Sequence, residues 1–471
     1  MLDNRPIDGL FIKHGGIFRL HMNYLNKAEE RFGAAQGTIV AMFAALAVKG
    51  IGALYKIPLY NILGDYATGV YGMVFPIFAF LLCLSGGGLP AALTKMIVDG
   101  YSAKKVLKKT VVVVCVVGGS LSVLLFIFAN IIAEFQGNAD AGIMYKAIAP
   151  SVFIVGLIAV FRGYFQGLSD MRLTAVSQMI EQVVRAVIGL IGALLLPISQ
   201  IYKAFFAVLC ITFSEIIALV YCFMRYKKRN KNMPETATKE PTFGVLFSYL
   251  VPLVLSAVLI PLSGVAEGFI AMRALGGMGE IGTSYYGLYV GATETIISLP
   301  AAVLYPLASG FLPAMKKNGN AEKCLIITFF GAFCAAVFAF LFPDFIISLL
   351  FSRVRYKAVL KILLKLSSLT MLLLPVLQCV SHIMLSMGAQ KRSLLNNTLG
   401  CAVKISVCAL LVGNPSVHVF ALVISDICCY FVALSLDLIY IIIKSKKKGS
   451  ITDDNVGRTG YDKGRLVVKS L

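Results

Sequence analysis

The sequence predicts an all-α polytopic membrane protein, with about twelve transmembrane helices in two parallel six-helix lobes. Three observations carry this. First, of the 471 residues 58% are hydrophobic and only 14% charged, with a mean hydropathy of +0.84, whereas a soluble chain averages about 25% charged. Second, apolar runs long enough to cross a hydrocarbon core of about 30 Å recur along most of the chain. They are continuous rather than alternating, which excludes β-barrel strands. Third, one nine-residue pattern appears twice, once in each half: GDYATGVYG at 64–72 and GEIGTSYYG at 279–287, an offset of 215 residues.

In order, residues 1–33 are mixed and polar and read as a cytoplasmic N-terminal leader, since no sustained apolar run precedes residue 34. Twelve spans follow, at 34–57, 68–93, 108–133, 143–168, 173–196, 201–224, 243–272, 285–312, 324–350, 359–387, 393–412 and 417–442. The polar stretch 225–242, with Pro234 and Pro241, is a linker between an N-terminal lobe at 34–224 and a C-terminal lobe at 243–442, and 443–471 is a basic cytoplasmic tail. Connectors after even-numbered spans collect Lys and Arg, as in Lys104, Lys105, Lys108 and Lys109 or Lys227, Lys228 and Arg229. The positive-inside rule then puts both termini in the cytoplasm of a plasma-membrane protein. One connector goes against the rule: Arg353, Arg355, Lys357 and Lys361 would lie outside. The net charge of +20 is what such loops produce, and it gives no ground for a nucleic-acid partner.

The two nine-residue copies share G-[DE]-x-x-T-x-x-Y-G. Each precedes a span read as ending in LPA, at Leu89-Pro90-Ala91 and Leu312-Pro313-Ala314. Six spans per repeat make the repeats parallel, and substrate sites in such transporters lie between them near the midplane. Prolines inside spans, among them Pro150, Pro252, Pro261, Pro343 and Pro375, remove helix hydrogen bonds and invite kinks suited to rocking bundles.

Ionisable residues at membrane depth are expensive and usually face a bundle interior. The cavity candidates are Lys49, Arg162, Glu181, Arg185, Glu267, Arg273 and Lys404. The stretch Phe161–Arg185 holds three of them. Glu181 and Arg185 are four apart, acid first, so a helix puts them on one face as an expected pair. Lys49, Lys404 and Arg273 have no sequence-local acid except Glu267 near Arg273. Together these cations predict a surplus of about three positive charges in one central cavity, each able to hold phosphate. Glu215, Glu294 and Asp426 keep open a cavity for organic cations. The eleven cysteines form no CxxC pair and lie in or beside apolar segments, so packing is their expected role, with no metal and no cofactor. No Ser/His/Asp, HExxH, phosphate-loop or paired-carboxylate motif is present, so an enzyme is not expected.

The segment RGYFQGLSDMRLTAVSQMIEQVVR at 162–185 resembles the signature of the stage V sporulation protein B family of polysaccharide-biosynthesis membrane proteins, with Leu173 where the signature has Pro. KGIGALYKIPLYNILG at 49–64, YGMVFPIF at 71–78 and GLPAALTKMIVDG at 88–100 support it, as does SLPAAVLYPLASGFLPAM in the second half, and the resemblance covers roughly 34–442. That family belongs to the multidrug/oligosaccharidyl-lipid/polysaccharide exporter superfamily, with the lipid II flippases and multidrug extruders. The resemblance implies a two-lobed bundle, alternating access, and movement of an undecaprenyl-pyrophosphate-linked saccharide or peptidoglycan precursor from inner to outer leaflet. It implies partners in the lipid-linked substrate, membrane lipids and a coupling ion, H+ or Na+. The two additional helices of lipid II flippases are not expected after residue 442. A cation-coupled multidrug exporter is the alternative within transport, and a sporulation membrane scaffold the alternative outside it.

Overall fold

The computed structural model of the chain describes residues 46–48, 50–52, 54–230, 239–310 and 321–455. The leader at 1–33 lies outside the described residues, as do Lys49 and Leu312-Pro313-Ala314. Eleven helical stretches among the described residues are long and apolar enough to cross a membrane. The first, Leu46–Val98, has 53 residues and at 1.5 Å per residue would reach about 80 Å. It breaks at Gly64, whose φ of 73° belongs to the left-handed region. The break gives α1 (46–63) and α2 (65–98), so the eleven stretches hold twelve spans. The junction is one glycine, not the ten-residue connector expected between spans one and two.

The remaining elements are α3 (Ala103–Gln136), α4 (Ala141–Gly167), α5 (Arg172–Leu195), α6 (Gln200–Asn230) and α7 (Phe243–Gly276). Next comes α8 (280–310), built from Glu280–Gly287, a π-helical turn Leu288–Thr293 and Glu294–Gly310. Then follow α9 (Ala321–Leu341), α10 (Pro343–Leu350), α11 (Lys357–Ser386), α12 (Gln390–Leu411) and α13 (Phe420–Asn455).

Three boundaries differ from the sequence reading. The ninth span ends at Leu341, because Pro343 opens a separate eight-residue helix at its first position, where its missing N–H costs nothing. Leu89-Pro90-Ala91 likewise starts a helical leg, Leu89–Val98, after a π-helical turn at Cys83–Gly87. The last helix runs on through 443–455 instead of ending at 442. Pro150, Pro252, Pro261 and Pro375 sit inside continuous helices.

Connectors sort to two ends. At one end Tyr66 donates to Asp140, Asn138 Nδ2 donates to Thr283 Oγ1, the backbone N–H of Arg355 donates to Asp65, and Tyr285 packs on Tyr356. These are the odd-numbered connectors. At the other end Tyr249 donates to Asp99, Arg229 pairs with Asp170, and Lys105 pairs with Glu240. The basic connector that broke the charge rule is therefore tied into the odd-connector end. Lys361 pairs with Asp344 at 2.6 Å, and the Arg355 guanidinium lies over Tyr356.

The repeated motif meets itself at this end. Its first glycine takes a positive φ in both copies, 73° at Gly64 and 60° at Gly279. Its Thr and Tyr are buried in both, as Thr68, Tyr71, Thr283 and Tyr286. The helices that follow, α2 and α8, cross so closely that a Cβ on Gly287 would strike the Asp65 carbonyl, and one on Gly69 the Thr283 carbonyl. Asn61 Nδ2 also bonds the Leu350 carbonyl at 2.7 Å across the two halves. The odd-connector end is thus sealed, backbone against backbone.

Candidate functional site

The charges at membrane depth form two clusters, one in each half. In the first half, α4 carries Arg162 and α5 carries Ser177, Glu181 and Arg185 on its inward face. Arg162 donates from Nε to Ser177 at 2.9 Å and from Nη2 to Glu181 at 2.7 Å. Both partners of that ion pair are 13% exposed. Glu181 is therefore held by Arg162 across two helices, and the expected Glu181–Arg185 pair is not formed. Arg185 turns instead to Glu215 on α6. That contact is loose, at 3.8 Å, and leaves Arg185 Nε and Glu215 Oε2 buried without hydrogen-bond partners. Tyr55 and Tyr71 lie within electrostatic reach of Arg185, and the Tyr55 hydroxyl is also unpartnered.

In the second half, Lys404 on α12 sits between two carboxylates. Its Nζ lies 2.6 Å from Glu267 on α7 and 2.7 Å from Asp426 on α13. Tyr289 on α8 donates to Asp426 at 2.5 Å, and Ser425 donates to Glu267 at 3.1 Å. Lys404, with no acid near it in sequence, thus has two in space.

Among the described residues two further charges, Lys56 on α1 and Glu294 on α8, join neither cluster by an ion pair. Both are exposed although each belongs to a spanning helix, and they lie within electrostatic reach of each other. Lys404 and Asp426 also act on Glu294, so the second cluster and Lys56 both bear on it. Among the described residues Lys56 has no ion pair, and no ion pair or hydrogen bond joins the first cluster to the second.

This arrangement corrects the expected charge surplus. Arg162 and Arg185 face Glu181 and Glu215, so the first cluster is formally neutral. Lys404 with Glu267 and Asp426 carries a formal −1. Arg273 joins neither cluster. It is exposed at the odd-connector end of α7, over the Phe135 ring, beside a surface pocket of about 500 Å³. Six residues separate it from Glu267, about 9 Å of rise and most of a half-turn in facing, so the two cannot serve one site. Lys49 lies outside the described residues.

A family model described as polysaccharide biosynthesis protein matches residues 34–318, more than half of the chain. The chain belongs to this polysaccharide biosynthesis protein family. Stage V sporulation protein B of Bacillus subtilis (strain 168) is 27% identical over 312 residues, covering 62% of this chain and 60% of that protein. The lipid II flippase MurJ of the same organism is 28% identical over 257 residues, covering 48% of this chain and 47% of its own. The chain thus spans between about half and three fifths of these relatives' lengths. An inward-facing multidrug resistance MATE family transporter of the MOP superfamily superposes with a TM-score of 0.70 at 15% identity, over 87% of this chain and 99% of that one. Lipid II flippase MurJ in an inward closed conformation gives 0.69 at 12% identity, over 86% and 87%. The fold is the one those transporters share.

Of the residues gathered here, Glu215, Glu294 and Asp426 enter the sequence reading only as acids for an organic cation, and Lys56 does not enter it. Nothing local joins Glu215 and Asp426 to Arg185 and Lys404, which lie 30 and 22 residues away.

Proposed function

We propose that this protein is a membrane transporter of the multidrug/oligosaccharidyl-lipid/polysaccharide exporter type, and that it moves an undecaprenyl-pyrophosphate-linked saccharide or peptidoglycan precursor from the inner to the outer leaflet by alternating access. Both termini face the cytoplasm in this reading, the odd-connector end is external, and residues 34–224 and 243–442 act as the two moving lobes. The observation that carries it is Arg185. Its ion pair is loose and one donor is unsatisfied at membrane depth, where a buried donor without a partner costs about 1–3 kcal/mol. A phosphate entering between Arg185, the Tyr55 hydroxyl and Lys56 would meet that need with charge-assisted bonds.

A second reading has its own support. The second cluster is acidic, and Glu294 is an exposed carboxylate on a spanning helix within reach of it, which suits a cationic cargo or coupling ion. One experiment separates the two. Arg185→Gln and Lys56→Gln should each lower outer-leaflet exposure of lipid-linked precursor in reconstituted vesicles, while Glu294→Gln is mild. A cationic cargo gives the reverse order, with dye efflux lost in Glu294→Gln and precursor exposure intact in Arg185→Gln. Lys404 is left out of this test, because its removal also breaks the second cluster.

A further inference from the structure

A groove of about 520 Å³ opens at the odd-connector end, where α1, α5 and α6 of the first half meet α10 of the second. Its walls include Ile57, Ile62, Leu190, Leu194 and Leu349. Leu194 and Leu349 are 63% and 66% exposed, as side chains that face lipid tails are. Two cations stand in this apolar setting: Lys203, in the first turn of α6, and Arg353, in the connector after α10. No carboxylate lines the groove. Among the described residues neither cation has an ion pair, side-chain hydrogen bond or aromatic ring. Their neighbours are spent: Lys361 on Asp344, and Arg355 on the Tyr356 ring.

We propose that this groove binds an anionic phospholipid from the leaflet at that end. Its phosphate sits between Lys203 and Arg353, and an acyl chain lies along Ile57, Leu190, Leu194 and Leu349. Three arguments choose this occupant. Lys203 and Arg353 at the membrane edge present two positive charges to the headgroup layer with no protein anion between them, and a phosphate there gains charge-assisted bonds from both. A neutral lipid leaves both charges uncompensated, and free phosphate leaves the apolar walls uncovered. The groove also explains the connector that breaks the positive-inside rule, because Arg353 is held outside to do a task there. Asn61 lines the same groove and makes the 2.7 Å bond to Leu350 that ties the halves. A lipid lying across α1 and α10 would brace that seam, so the lipid acts as a clamp on the closed odd-connector end.

The test is native mass spectrometry of the full chain released from detergent, titrated with phosphatidylglycerol or phosphatidylcholine of matched acyl chains. Wild type should retain phosphatidylglycerol over phosphatidylcholine. Lys203→Gln with Arg353→Gln should lower that retention about tenfold, equal to ~1.4 kcal/mol, the scale of two partly exposed charge contacts. Leu194→Trp, which fills the groove and leaves both charges in place, should lower retention of either lipid. Thermal unfolding of each variant without added lipid checks that it is folded. Equal retention of the two lipids, or retention unchanged in the double variant, overturns the proposal. A third arm uses undecaprenyl phosphate. Retention of it above phosphatidylglycerol, lost in the same double variant, would assign the groove to the carrier instead and also overturn the proposal.

Discussion

Lys404→Met should be among the most destabilising single changes in the second half. The ammonium lies 2.6 Å from Glu267 and 2.7 Å from Asp426, and the three side chains are only 15%, 9% and 6% exposed. Removing it strands two carboxylates close together with one neutral hydroxyl donor each, Ser425 and Tyr289. Breaking a buried pair by deleting one partner costs about 3–5 kcal/mol. Two like charges a few ångströms apart at an effective dielectric of about 20 repel by a comparable ~4 kcal/mol. The triple variant Lys404→Met, Glu267→Gln, Asp426→Asn removes the charges together and keeps two amide acceptors for the hydroxyls. It should recover to within about 1–2 kcal/mol of wild type, the worth of the remaining polar mismatches. The chain has no Trp and eleven Cys, so a thiol-reactive fluorophore reports unfolding. Cys401, Cys408 and Cys429 are buried on the same helices, and Cys115 and Cys334, which are exposed, would be changed to Ser in the background. Detergent unfolding is commonly irreversible, so unfolding rates at one temperature are compared. If Lys404→Met unfolds no faster than a surface substitution, or the triple variant no slower than the single, the triad does not carry this energy.

Other outcomes follow from the same geometry. In double-mutant cycles on stability, Arg162→Gln and Glu181→Gln should couple by about 1–3 kcal/mol, whereas Glu181→Gln and Arg185→Gln should add to within about 0.5 kcal/mol; the opposite result would restore the pairing expected from sequence spacing. Gly287→Ala puts a methyl into the Asp65 carbonyl and should hold the odd-connector end open. A cysteine at Asn138 should then react faster with a membrane-impermeant maleimide than in the parent, and an unchanged rate would mean that the clash is relieved without opening this end. Gly64→Ala should lower stability by about 1–2 kcal/mol, because its φ of 73° is disfavoured for a residue with a Cβ, as read by the same thiol assay.

What could be read from the sequence was whatever depends on one helix at a time. Length, apolar content and connector charge act locally, so the spans at α3 to α7 emerged within a few residues. The errors came where local pattern was not decisive. A single glycine at 64 turns the chain without a polar loop. Pro343 was counted as interior to a span when it begins a helix. Pairing of charges was the least legible feature, because a face shared at i and i+4 competes with partners from other helices that sequence spacing cannot reveal. Arg162 holds Glu181 with one bond while a second goes to Ser177 one turn away, and Lys404 finds acids from α7 and α13.

The internal repeat shows the same division in physical form. Where the two copies touch each other, each constrains the other: Gly69 against Thr283, Gly287 against Asp65 and the Gly69 amide. A Cβ at Gly69 or Gly287 would push both halves apart at once; the threonines, the buried tyrosines and Gly72 with Gly287 stand at matching places in both copies, whereas Ser284 stands where the first copy has Gly69. The charge clusters obey no such constraint. Each is paired within its own half, Arg162 with Glu181, Arg185 loosely with Glu215, and Lys404 with Glu267 and Asp426, so a loose arginine in one half and a doubly paired lysine in the other leave the seam undisturbed. Under the proposed function that asymmetry suits a single anionic cargo. Two equal clusters would offer two competing sites, whereas of these two it is the first that holds a buried donor without a partner, Arg185 Nε. The acidic second cluster is tied instead to α8, the helix that packs on α2 at the seam, through Tyr289, which sits on the α8 π-turn and donates to Asp426.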